Sequence, residues 1–123
     1  MSEERVLVLV TDKVSASGLE PFGEDDRFEI IQVNDSSTRE FMEALGRAHG
    51  LVVRSATKVR DELLAKAPNL KVLGRAGVGV DNIDLEAASA RGVAVMNAPA
   101  GNTVSAAELT MALMMSMVRQ VAA

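Results

Sequence analysis

Residues Lys71 to Asn82 read KVLGRAGVGVDN. Val72 and Leu73, following Leu70, form a short apolar run suited to a buried strand. Three glycines then interrupt it: Gly74, Gly77 and Gly79. Asp81, Asn82 and Asp84 lead into an alanine-rich segment that starts at Leu85 and has the composition of a helix. Strand, glycine-rich turn and helix make one βα unit. Glycines in such a turn are expected to take positive φ and to let the backbone approach a ligand with no Cβ in the way. Free amides backed by a helix N-terminus favour an anion. A tight turn that binds nothing would have the same composition.

Gly77-Val78-Gly79 invites comparison with the dinucleotide fingerprint G-x-G-x-x-G. The third glycine position holds Asn82, and the next strand, near Val93–Met96, runs into Asn97 where the motif wants an acid about 20 residues on. A self-contained Rossmann cofactor site is therefore not expected here.

Working outward, 123 residues suffice for one domain and one core. Apolar residues make up 48%, with three Phe and no Trp or Tyr, so the core must be built from Val, Leu, Ile, Ala and Met. Thirteen basic and seventeen acidic residues give a net charge of -4, and the basic ones are scattered, which argues against a nucleic-acid partner. No cysteine means no disulfide, thiolate nucleophile or zinc-thiolate site, which fits a cytoplasmic protein. The start, MSEERVLVLV, has neither the basic flank nor the long apolar run of a signal peptide.

Arg5–Thr11 reads as a first strand, apolar on nearly every residue as a central parallel strand covered on both faces should be. Ser15–Phe22 reads as a short helix stopped by Pro21 and Gly23. Phe28–Val33 is a second strand, interrupted by Glu29 and Gln32 and hence placed at a sheet edge. Ser37-Thr38-Arg39-Glu40 has capping-box spacing for a helix reaching about Arg47. Gly50–Arg54 is a third strand, and a helix from near Arg60 to Ala67 is stopped by Pro68. Leu70–Gly74, Leu85–Ala90 and Val93–Met96 follow as strand, helix and strand, with Gly92 at the helix C′ position. Ser105 to Glu108 repeats the capping-box spacing before a last helix that reaches at least Arg119. Strands alternating with helices imply an α/β fold. The expected form is a flavodoxin-like, doubly wound parallel sheet of order 2-1-3-4-5 with helices on both faces.

In such a sheet ligands sit at the carboxyl ends of the strands, where three loops fall: Arg54–Lys58, Gly74–Asn82 and Asn97–Asn102. Arg54 offers a guanidinium fork for carboxylate or phosphate, Ser55 further donors, and Lys58 a point charge. Arg75 is expected to brace its loop against Asp81 or Asp84, and Asn97 and Asn102 to cap backbone. His49, the single histidine, precedes the third strand at the opposite edge and reads as structural. Glu108 is explained by its capping box. No catalytic triad, acid–base pair or metal cluster can be assembled, so the chain offers anion recognition without a catalytic group.

The motifs RSATKV (Arg54–Val59), GRAGVGVDNIDLEAA (Gly74–Ala88), GVAVMNAP (Gly92–Pro99) and GNTVSAAELT (Gly101–Thr110) together resemble the D-isomer-specific 2-hydroxyacid dehydrogenases. Within that family they are most similar to members acting on a phosphorylated 2-hydroxy acid. The resemblance implies substrate-binding roles for Arg54, Ser55, Gly79 and Asn102, and a backbone contact of Val78 with the nicotinamide of NAD. Position 78 is often threonine in the family, so Val78 lacks that hydroxyl. It further implies a substrate-binding part over residues 1–100 and a crossover helix over 101–123 leading to a Rossmann domain. The family's catalytic arginine, glutamate and histidine would lie beyond Ala123. The chain is then expected to be an N-terminal part of an enzyme, inactive alone, homo-oligomeric when intact, and with no membrane or metal partner. The alternatives are a glyoxylate, hydroxypyruvate or lactate enzyme of the same family, or a stand-alone binding module.

Overall fold

The computed structural model describes residues 5–14, 16–98 and 103–119. Among these residues five strands alternate with five helices: β1 Val6–Val10, α1 Ala16–Gly23, β2 Phe28–Gln32, α2 Arg39–Leu45, β3 Gly50–Val53, α3 Asp61–Leu64, β4 Val72–Arg75, α4 Leu85–Ala90, β5 Ala94–Asn97 and α5 Thr103–Arg119. The strands form one sheet of order β2-β1-β3-β4-β5. Every neighbouring pair is parallel, with Leu9 beside Leu51, Leu51 beside Leu73 and Leu73 beside Val95. This is the expected flavodoxin-like α/β arrangement, with the half-polar β2 at an edge.

The alternation of side chains along a strand assigns the two faces. Leu9, Leu51, Val53 and Leu73 point into a core closed by Phe41, Ala44 and Leu45 of α2, Leu64 of α3 and Ala88 of α4, all buried. The other face carries α1, where Phe22 meets Phe28 edge-to-face with ring centroids 5.3 Å apart. Beyond α1 an apolar trough of about 620 Å³ runs across the sheet, lined by Val6, Val8, Val52, Val72 and Met96 among others. Val6 and Val72 are 38% and 39% exposed there. The expectation that the first strand is covered on both faces therefore fails at its start.

Several boundaries differ from the expected ones for identifiable reasons. Pro21 lies inside α1 instead of stopping it; near the helix end it removes only one backbone bond, and the Glu24 N–H still closes the turn on the Glu20 carbonyl. The cap of α2 is Thr38, whose hydroxyl accepts from the Phe41 N–H, because the Ser37 N–H and hydroxyl are both engaged by Asp35. α3 is a single turn, Asp61–Leu64. β4 starts at Val72 and carries Arg75 at its end. α5 begins at Thr103, ahead of Ser105, so the capping-box explanation of Glu108 falls; Glu108 stands exposed inside the helix. α4 keeps its expected bounds: Asp84 caps it through the Ala87 N–H, and Gly92 ends it at φ 71°.

Candidate functional site

The reversal of strand order between β1 and β3 opens a crevice at the carboxyl edge, the position where open α/β sheets bind ligands. A cleft of about 310 Å³ lies there, lined by Asp12, Lys13, Asn34, Arg54, Ser55 and Ala56, from the segments that follow β1, β2 and β3. Arg54 and Ser55, named from the sequence, thus share one cleft.

Asp12 builds its wall. One carboxylate oxygen accepts the Arg54 and Thr57 backbone N–H groups, each at 3.0 Å, and the other accepts the Thr57 hydroxyl at 2.7 Å. To reach them the chain turns sharply after β1, with Asp12 at φ 66° and Lys13 at φ 58°. This is the left-handed region that non-glycine residues enter at a cost of roughly 1 kcal/mol or more each. Asp is among the residues that tolerate it; Lys is not.

The loop after β3 is tied to the glycine-rich stretch through Asn82, which is 1% exposed. Its side-chain amide donates to the Arg54 carbonyl at 2.7 Å and the Thr57 carbonyl at 2.8 Å, while its oxygen accepts from Arg75 Nε at 3.2 Å. Its backbone carbonyl accepts from the Val59 N–H, and the Asp84 N–H returns to the Val59 carbonyl. The residue that spoils the dinucleotide fingerprint is therefore the tie between two site loops. Arg75 does brace its loop, but on Asn82 and the Ala76 carbonyl rather than on Asp81 or Asp84.

The three glycines act differently from the expectation. Gly92 is the one described glycine with positive φ. Gly77 leaves room for the Arg75 guanidinium: a Cβ there would overlap it, so the flexible arginine end would have to move. Val78 and Gly79 are exposed at the tip of the stretch. They do not line the cleft of Arg54 but stand on the loop whose base Asn82 joins to it. Asn97 donates to the Val78 carbonyl at 2.8 Å, so it holds the tip from β5. A second, smaller cleft of about 190 Å³ lies between the ends of β4 and β5, lined by Arg75, Ala76, Asn97 and Ala98 among others.

Asn102 lies outside the described residues, as does the side chain of Ser105. His49 sits at the amino edge, where its Nδ1 accepts the Leu7 N–H at 3.0 Å, a structural role as expected. Lys58 is exposed and does not line the cleft. Among the described residues no cluster of His, Cys, Asp or Glu could hold a metal, and no helix is long and apolar enough to cross a membrane. Sequence reading missed Asp12 and Asn82. The one available signal for Asn82 was its place in the broken fingerprint; for Asp12 it was a polar pair, Asp12-Lys13, directly after a buried strand.

Residues 8–123 match the family model for the D-isomer specific 2-hydroxyacid dehydrogenase, catalytic domain. The chain is 48% identical over 114 residues to D-3-phosphoglycerate dehydrogenase of Bacillus subtilis, covering 93% of this chain and 21% of that protein. It is 46% identical over 116 residues to the enzyme of the same name from Mycobacterium leprae, covering 94% and 22%. The chain thus spans about a fifth of the curated relatives it matches. Among solved structures, the NAD+-bound 3-phosphoglycerate dehydrogenase of Entamoeba histolytica superposes with a TM-score of 0.76 at 30% identity, over 93% of this chain and 39% of that one. The TT0316 protein of Thermus thermophilus superposes with a TM-score of 0.82 at 31% identity, over 94% and 38%. With its parallel sheet, its switch-point cleft and a family match over most of its length, this chain belongs to the D-isomer-specific 2-hydroxyacid dehydrogenases.

Proposed function

We propose that the chain is the substrate-binding part of a D-3-phosphoglycerate dehydrogenase, which oxidises 3-phospho-D-glycerate at C2 to 3-phosphohydroxypyruvate on the route to L-serine. The observation that carries this reading is the cleft holding Arg54 and Ser55 at the β1/β3 switch point, tied through Asn82 to the loop of Val78 and Gly79. Likeness to relatives of that name supports the substrate.

The chain's own residues bind and orient. Arg54 takes an acid group of the substrate in a charge-assisted contact, and Ser55 and neighbouring amides add donors. Gly79 leaves its backbone open for the substrate's other end. This positioning lowers the entropic cost of reaction and supplies no proton transfer. NAD, when bound, accepts the hydride from C2. Among the described residues the glycine-rich stretch forms no pyrophosphate cradle, since Asn82 is buried and engaged, and what it can offer that cofactor is the exposed backbone at Val78. Residues 1–100 are assigned to substrate binding, and 101–123 to the crossover toward a separate Rossmann domain, with Asn102 near the substrate. The exposed apolar side chains of α5 support contact with that domain and with a second subunit. The absence of cysteine supports a cytoplasmic setting.

The test is kinetic. The 123-residue chain should not reduce NAD with 3-phospho-D-glycerate. In the full-length dehydrogenase, Arg54→Ala should lower kcat/KM on the order of tenfold to a hundredfold, chiefly through KM, because a charge-assisted contact contributes roughly 1.5–3 kcal/mol. Arg54→Lys should recover only part of this. An Arg54→Ala enzyme with unchanged kinetics would remove the residue from the site.

A further inference from the structure

Lys13 comes from the β1–α1 connection and lines the same cleft as Arg54. Three features of its setting point to a ligand. Its backbone is left-handed at φ 58°, directly after Asp12 at φ 66°. Asp12 offsets its own strain by accepting three hydrogen bonds that build the β3 loop. The Lys13 side chain has no acceptor with which to make a comparable local bond, so no such bond of its own offsets the strain. Unrelieved strain of this kind collects at binding sites.

The charges agree. Both Asp12 oxygens are occupied by donors of the β3 loop. Among the described residues, the ion pairs are Arg27 with Asp25, Arg39 with Glu43 and Arg91 with Asp61; neither Lys13 nor Arg54 is in one. The cleft is therefore lined by two cationic residues, Lys13 and Arg54, with Asn34 and Ser55 as neutral polar neighbours. Two cations against one engaged carboxylate leave a net positive site. A carboxylate needs one such cation; a phosphoryl group carries nearly two charges at neutral pH and three acceptor oxygens.

We propose that Lys13 is a specificity-determining residue: its ammonium joins Arg54 around the phosphoryl group and distinguishes phosphorylated 2-hydroxy acids from unphosphorylated ones. This rests on the proposed role of Arg54 as the anchor of the substrate half. Lys13 contributes charge at the end of the substrate away from the reacting carbon, so it acts on binding selectivity and not on chemistry.

The experiment is a titration of the isotopically labelled 123-residue chain followed by amide shifts. The titrants are inorganic phosphate, 3-phospho-D-glycerate and D-glycerate; the variants are Lys13→Gln, Lys13→Arg and Arg54→Gln. Lys13→Gln should weaken phosphate and phosphoglycerate binding about three- to tenfold, the range of a partly exposed charge-assisted contact. It should leave D-glycerate binding unchanged, and Lys13→Arg should restore phosphate binding. Lys13→Gly, which accepts the left-handed backbone without strain, must weaken phosphate binding as Lys13→Gln does; this keeps the test valid if glutamine perturbs the turn. Phosphate binding that survives both uncharged variants yet falls with Arg54→Gln overturns the Lys13 assignment alone. Binding that survives Arg54→Gln as well, or that produces no shifts at the cleft, overturns the anchor on which it stands.

Discussion

The Asp12 carboxylate accepts the backbone N–H of Arg54 at 3.0 Å across a separation of 42 residues. This bond, with its companions to Thr57, fixes where the Arg54 side chain leaves the sheet, since β3 ends one residue earlier at Val53. Asp12→Ala should destabilise the chain by roughly 1–3 kcal/mol, the cost of leaving such donors without an acceptor, and should shift the Arg54 and Thr57 amide resonances together. Urea denaturation and an amide spectrum check this. Unchanged stability with unmoved Arg54 and Thr57 resonances would show that the loop holds itself.

Asn82 makes the complementary prediction. Asn82→Gly converts the stretch to G-x-G-x-x-G, a better dinucleotide fingerprint than the natural sequence. It should nevertheless destabilise by roughly 2–4 kcal/mol, because the Arg54 and Thr57 carbonyls lose their donor in a buried setting. It should not confer NAD binding. Calorimetric binding of NAD by the variant, or a stability equal to that of the parent chain, would mean that the tie has been misread.

Space for the Arg75 side chain, not backbone conformation, constrains Gly77. Gly77→Ala should cost about 1 kcal/mol, as expected where a movable side-chain end must give way, and should displace Arg75 from Asn82. In an Arg75→Ala background the same change should cost almost nothing, so a double-mutant cycle is strongly non-additive. Equal costs in the two backgrounds would place the constraint in the backbone.

Helix α5 leaves Leu109, Met111, Leu113, Met114 and Met115 between 57% and 65% exposed, and the trough beyond α1 exposes Val6, Val72 and Met96. Contiguous apolar surface of this kind drives association. The chain should bind a hydrophobic dye and self-associate. Met114→Gln should reduce both while changing stability by no more than about 0.5 kcal/mol, as for a surface substitution. A clean monomer by light scattering at high concentration, without dye binding, would contradict this.

The sheet was legible because its signals are local. Apolar runs such as VLVLV, the glycine punctuation and the Asp84 cap each act within a few residues, and strand order then follows from crossover handedness. Arg54 and Ser55 were legible as a charge and a hydroxyl at a strand end. What escaped was long-range or register-dependent. Asp12 and Asn82 act on residues 25 to 45 positions away, and no periodicity announces such bonds. The α2 cap shifted by one residue because Asp35 competes for Ser37. The glycines of the organising stretch were assigned to backbone freedom, whereas Gly77 answers to the Arg75 side chain, a contact visible only once the loop is folded.

In the proposed function, one anion site at the β1/β3 switch point receives the substrate. Titrating the labelled 123-residue chain with 3-phospho-D-glycerate and mapping the perturbed amides tests it most directly. Shifts at Arg54, Ser55 and Gly79 should saturate together and vanish in Arg54→Ala. Shifts confined to the apolar trough or to α5, or a titration unaltered in Arg54→Ala, would contradict it.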